Sequence, residues 1–82
     1  MPVKPLYSAA SVRLRELLTD ARLKAGLTQE QVATLLGRPQ SFVSKYESGE
    51  RRLDVVEYLE VCAAVGADPV KVLRQVEAAR AQ

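Results

Sequence analysis

The sequence predicts an all-α fold, a bundle of about five helices forming one domain. Three observations carry that expectation. Apolar residues recur at spacings of three and four along most of the chain, as they do on the buried face of an amphipathic helix. Residues that start and stop helices punctuate this pattern: Ser8 or Ser11, Thr28, Asp54 and Asp68 stand where segments open, and Gly26, Gly37, Gly49 and Gly66 where they close. No repeat, low-complexity tract or pair of alternating strands interrupts it. A length of 82 residues gives room for one hydrophobic core and not for a second.

The N-terminal stretch MPVKPLY contains two prolines and no periodic pattern, so residues 1–8 are expected to form an extended arm ahead of a folded domain at 9–82. A frayed terminus accounts for this arm more simply than Lys4 reaching a phosphate or groove edge, and Tyr7 is expected to pack. The first helix, capped by Ser8 or Ser11, should run to about residue 25. Leu14, Leu17, Leu18, Ala21 and Ala25 form its core face, with Arg13, Arg15, Glu16, Asp20 and Lys24 outside.

Residues 28–49, TQEQVATLLGRPQSFVSKYESG, organise the rest. Thr28 and Gln31 have the spacing of a capping box, and Leu27 and Val32 that of a hydrophobic staple. Val32, Ala33, Leu35 and Leu36 then make the apolar face of a second helix, which Gly37 ends, since glycine takes the left-handed backbone without a Cβ penalty. Pro39, favoured in a first turn, starts a third helix over about 39–48, with Gly49 as its stop. Val43 and Tyr46 should point inward there, and Gln40, Ser41, Ser44 and Lys45 outward. Two short helices joined at a glycine, with small Ala33 where they approach, follow helix-turn-helix logic.

Asp54 and Glu57 repeat the capping-box spacing and open a fourth helix through about residue 65, expected to bury Val55 or Val56, Leu59, Cys62 and Ala63. Asp68 and Pro69 supply a cap and a first-turn proline for the last helix, where Val70, Leu73 and Val76 or Ala79 form an apolar stripe. The lone Cys62 lies in an apolar run and reads as a small core residue.

The chain holds no histidine and one cysteine, so neither a Ser-His-Asp nor a Cys-His arrangement can be built, nor a zinc site; no enzyme activity, metal or cofactor is expected. The four glycines fall at helix ends without a phosphate-loop pattern, and Glu57 and Glu60 read as a solvated surface. No run approaches the roughly 18 apolar residues of a membrane span and no signal-peptide pattern opens the chain, so a cytoplasmic protein without a membrane partner is expected. Net charge is +2, but it is unevenly spread. Arg38, Lys45, Arg51 and Arg52 outnumber the acids around the third helix, while residues 53–68 carry Asp54, Glu57, Glu60 and Asp68 without a base. This asymmetry would turn the third helix toward a polyanion.

Gln29, Ala33, Gly37 and Val43, followed by Ser44-Lys45-Tyr46-Glu47 and Gly49, resemble the phage repressor and Cro-like family, often called the XRE family. The resemblance covers about residues 10–75 and implies a lambda-repressor-like domain that binds double-stranded DNA. It places Gln40, Ser41 and Lys45 at the base-reading positions. Glutamine can pair bidentately with adenine, and lysine can donate to guanine. It also implies that Gln29 contacts the DNA backbone and braces the first residue of the reading helix, and that Arg22 pairs with Glu47. Ser44 lies between the reading positions, and Arg38, Arg51 and Arg52 are placed to neutralise phosphates. Phe42 either presses on a thymine methyl or, the slightly favoured reading, packs inward.

The resemblance further implies a homodimer on a pseudo-palindromic operator, acting as a transcriptional regulator, by default a repressor, that blocks or contacts RNA polymerase. The last helix, with Val70, Val72, Leu73, Val76 and Ala79, is broader in apolar residues than one packing stripe needs; part of it, with nearby residues of the fourth helix, offers a dimer surface, the alternative being that it closes the monomer core. The alternative is an antitoxin-type interaction module that binds a toxin and also regulates its own promoter.

Overall fold

A computed structural model describes residues 8–81 of the chain; the arm expected over 1–8, with Lys4 and Tyr7, lies outside them except for Ser8. Five helices occur among the described residues: α1 (Ala9–Lys24), α2 (Gln29–Leu36), α3 (Gln40–Ser48), α4 (Val55–Val65) and α5 (Pro69–Arg80). The all-α expectation holds. α1 packs against α5, α3 and α4, while α2 packs against α3 and α4.

Local chemistry sets the boundaries. Of the two candidate serines, Ser8 caps α1, its hydroxyl accepting from the Ser11 amide at 3.1 Å. The capping box of α2 is complete: the Gln31 amide donates to the Thr28 hydroxyl at 3.1 Å, and the Thr28 amide donates to the Gln31 side chain at 2.9 Å. Gly37 then takes a φ of 67°, where a β-carbon would be strained, and the chain turns into α3. Pro39 occupies the cap position before α3 and not its first turn: its φ of −62° suits a helix, but its ψ of 151° is extended, so the helix begins at Gln40. The caps of α4 and α5 form as expected, on Asp54 with Glu57 and on Asp68 ahead of Pro69.

The core consists of Leu18 from α1, Val32 and Ala33 from α2, Phe42, Val43 and Tyr46 from α3, Tyr58, Val61, Cys62 and Val65 from α4, and Val72 from α5. Val43 and Tyr46 point inward as expected, and Leu14, Leu17 and Ala21 lie half-buried against this cluster. Tyr46 meets Phe42 edge-on, with ring centroids 5.6 Å apart.

Several expected faces are rotated. Ala25 ends α1 as an exposed cap residue, and Leu35 points to solvent because the buried face of α2 is Val32, Ala33 and the half-buried Leu36. On α4, Val55, Val56, Leu59 and Ala63 are exposed, whereas Glu57, Tyr58, Val61, Cys62 and Val65 are buried. Two polar anchors set that phase. The Tyr58 hydroxyl donates to the Pro69 carbonyl at 2.7 Å, which ties α4 to the start of α5. Glu57 is drawn inward by arginines that precede the helix. On α5, Val72 faces the core and Val76 is half-buried, which leaves Val70 and Leu73 about half exposed, at 57% and 51%.

Candidate nucleic-acid interface

α3 is amphipathic over only nine residues. Its buried side, Phe42, Val43 and Tyr46, fixes it to the core, and its other side presents Gln40, Ser41 and Lys45 to solvent. Ser44 is half-buried, and its hydroxyl donates to the Ser41 carbonyl at 3.2 Å, so part of its hydrogen-bonding capacity is spent within the helix.

A chain of hydrogen bonds sets the position and polarity of the first exposed residue. Arg22 on α1 donates through Nε and Nη2 to Glu47 on α3, at 2.7 and 3.1 Å, and through Nη1 to the Leu27 carbonyl at 2.9 Å. Both side chains are largely buried, at 11% and 7% exposure. The carboxylate raises the pKa of Arg22 through this hydrogen bond, so the guanidinium stays charged. Glu47 Oε1 also accepts from Gln29 Nε2 at 2.9 Å. An ionised carboxylate only accepts, so Gln29 must turn its NH₂ toward it and its carbonyl away. That carbonyl accepts from Gln40 Nε2 at 2.8 Å. Gln40 therefore retains its carbonyl oxygen and one amide proton, the two groups with which glutamine recognises adenine. The Arg22–Glu47 pair and the Gln29–Gln40 brace are thus present as the resemblance implied.

A second cluster lies beside α3. Arg51, in the loop after α3, donates to both oxygens of Glu57, at 2.9 Å from Nη1 and 2.8 Å from Nη2. Arg38, in the turn before α3, approaches Glu57 Oε2 at 3.3 Å. Both guanidinium carbons lie over the Phe42 ring, 4.6 Å from its centroid for Arg38 and 4.8 Å for Arg51, within cation–π range. Phe42 is accordingly a buried packing residue, and the thymine contact considered for it does not arise in this geometry. Glu57, expected as a solvated acid, is buried in an ion pair because its position in the capping box aims its carboxylate back at the preceding loop. Arg51 is engaged within the protein, while Arg52 is exposed. Sequence reasoning missed this cluster, although two arginines bracketing α3 and a capping-box glutamate just beyond were a usable signal.

Of the residues considered for a dimer surface, Val70 and Leu73 are exposed, Val76 is half-buried, and Val72 is consumed by the monomer core. Val55, Val56 and Leu59 on α4 are exposed as well. No helix among the described residues is long and apolar enough to cross a membrane.

Two short helices joined at Gly37, the second packed by one face and polar on the other, define a helix-turn-helix DNA-binding domain. A family model described as a helix-turn-helix domain matches residues 13–75. An XRE-family like protein from Pseudomonas syringae pv. tomato str. DC3000 is 51% identical, with a TM-score of 0.80 and 85% of each chain covered. The chain therefore belongs to the XRE family of helix-turn-helix proteins. It is also similar to the restriction-modification controller protein C.AhdI from Aeromonas hydrophila, at 31% identity and a TM-score of 0.69 over 76% of this chain and 94% of that one. The clp gene regulator ClgR from C. glutamicum shares the fold at 22% identity, with a TM-score of 0.74 over 95% of this chain and 94% of that one. No curated protein matches the chain. The family and fold are those of DNA-binding regulators and not of enzymes.

The Glu57 cluster makes stability depend on pH. Hydrogen bonds from the Arg51 side chain and then the Asp54 backbone lower the carboxyl pKa from 4.5 to about 2. A lowered folded-state value means that the contribution is complete above the ordinary value and is lost as pH falls through the folded one. In denaturant titrations followed by circular dichroism, wild type should exceed Glu57→Gln in stability by a constant margin above about pH 5, and that margin should close as pH falls toward 2. A margin unchanged down to pH 2 would contradict the pairing.

Proposed function

We propose that this protein is a sequence-specific transcriptional regulator that binds a pseudo-palindromic operator as a homodimer and acts by occupying DNA, most simply as a repressor. The observation that carries the proposal is the exposed face of α3, on which Gln40 is held by Gln29 with its adenine-recognising groups free. Gln40, Ser41 and Lys45 read base edges in the major groove. Ser44 supports them, and Gln29, Arg38 and Arg52 face phosphates, which fix register without carrying sequence information. Arg51 acts through the Glu57 cluster.

α3 spans only about 14 Å at 1.5 Å per residue. One copy therefore reads a few base pairs, and two copies about one helical turn apart give a usable site. The exposed Val55, Val56 and Leu59 of α4 and Val70 and Leu73 of α5 form the surface at which a second copy docks. These helices pack against each other, and the five side chains are exposed.

Two experiments test this reading. Wild type and Gln40→Ala/Lys45→Ala are titrated onto the DNA upstream of the gene, with random competitor, across a salt series. Wild type should resist competitor and the variant should lose that resistance, by tenfold or more at about 1–3 kcal/mol per base contact; equal, competitor-sensitive binding by both would defeat the base-reading assignment. Sedimentation equilibrium at low micromolar concentration should give a dimer for wild type and a monomer for Leu73→Asp, and a monomeric wild type would remove the dimer.

A further inference from the structure

Glu57 belongs to α4, outside the two helices of the motif, yet it contacts an arginine from each side of α3. Its amide donates to the Asp54 carboxylate at 2.7 Å, and its Oε1 accepts from the Asp54 amide at 2.9 Å, so the carboxylate is anchored before it meets either arginine. The two guanidinium groups it gathers are held differently. Arg51 is gripped at both oxygens and also donates to the Arg52 carbonyl at 2.9 Å. Arg38 has one approach to Glu57, at 3.3 Å, and one to the Phe42 ring. Its guanidinium makes no hydrogen bond among the described residues, and its side chain is 39% exposed. The anchor is rigid, and the arginine beside the start of α3 keeps donors to spare.

From this geometry we infer that Glu57 is a positioning residue for DNA binding. By clamping Arg51 over Phe42, it builds a platform that holds Arg38 at the N-terminal end of α3, ready for a backbone phosphate. This rests on the DNA-binding reading above and adds to it a residue that never touches DNA. A carboxylate near a polyanion should repel it, so a merely electrostatic Glu57 would weaken binding, and neutralising it would strengthen binding. Positioning predicts the opposite sign. Without the carboxylate, Arg51 and Arg38 lose their fixed geometry, and the phosphate contact must then be made from a disordered side chain at an entropic cost.

The test compares wild type with Glu57→Gln on two duplexes of about three helical turns, one from upstream of the gene and one scrambled, over a range of salt. Circular dichroism confirms the temperature at which both proteins are folded. The inference predicts about tenfold weaker binding of Glu57→Gln to both duplexes, despite the added positive charge, and a salt slope shallower by about 1. Equal or tighter binding overturns it. So does weaker binding confined to the upstream duplex with the slope unchanged, which would mean that Glu57 acts through base reading.

If Glu57→Gln proves unfolded, Arg51→Lys takes its place. It keeps the charge but removes the two-pronged clamp, and weaker binding to both duplexes is again expected, with unchanged binding overturning the inference. A wild type that binds neither duplex takes down both this inference and the DNA-binding reading, whereas a binding wild type matched by Glu57→Gln removes the role of Glu57 alone.

Discussion

The pairing of Arg22 with Glu47 is the interaction on which the recognition surface depends. It joins α1 to α3 across the core, closes on the Leu27 carbonyl before the motif begins, and fixes the orientation of the carboxylate that Gln29 must face. A buried ion pair is not in itself strong evidence for stability, because desolvation of both charges offsets their attraction. Its asymmetry matters more. Removing one partner strands the other at a loss of about 3–5 kcal/mol, against a total of about 5–15 kcal/mol for a domain. Losing either partner would therefore cost a large share of the domain's stability, and the geometry that the pair fixes ends at Gln40.

The two polar clusters divide the task of holding α3. Arg22, Glu47, Gln29 and Gln40 link the helix to α1 and α2 and set the polarity of an exposed amide. Arg51, Glu57 and Arg38 link the flanks of the same helix to α4, with Phe42 packed beneath the guanidinium groups. The apolar residues Val43 and Tyr46 provide burial without direction. A nine-residue helix carries few apolar contacts of its own, so directional hydrogen bonds to its neighbours are what restrict its rotation and tilt.

How much of this was legible in the sequence follows from the range of each signal. Caps and stops were legible because they act over three or four residues: Thr28 with Gln31, Asp54 with Glu57, Asp68 with Pro69, and the glycines that close the helices. The phase of α4 was not. VVEYLEVCAAV is apolar nearly all round, so periodicity could not choose a face, and the choice falls to Tyr58 and Glu57 through contacts outside the helix. The same blindness assigned Glu57 to solvent, since its capping-box position is local but its arginine partners are not. Arg22 with Glu47, and Gln29 with Gln40, were expected only through the family resemblance, because partners 25 and 11 residues apart leave no local pattern.

The central claim is that Gln29 and Gln40 act as one unit, held by Glu47, when the domain reads DNA. A double-mutant cycle measures this most directly, with Gln29→Ala, Gln40→Ala and the double variant titrated onto the upstream duplex at one salt concentration. The account predicts that the double variant loses little more than the worse single one, a coupling of about 1 kcal/mol or more. Losses that add within about 0.3 kcal/mol would show that the two glutamines act independently and would contradict it.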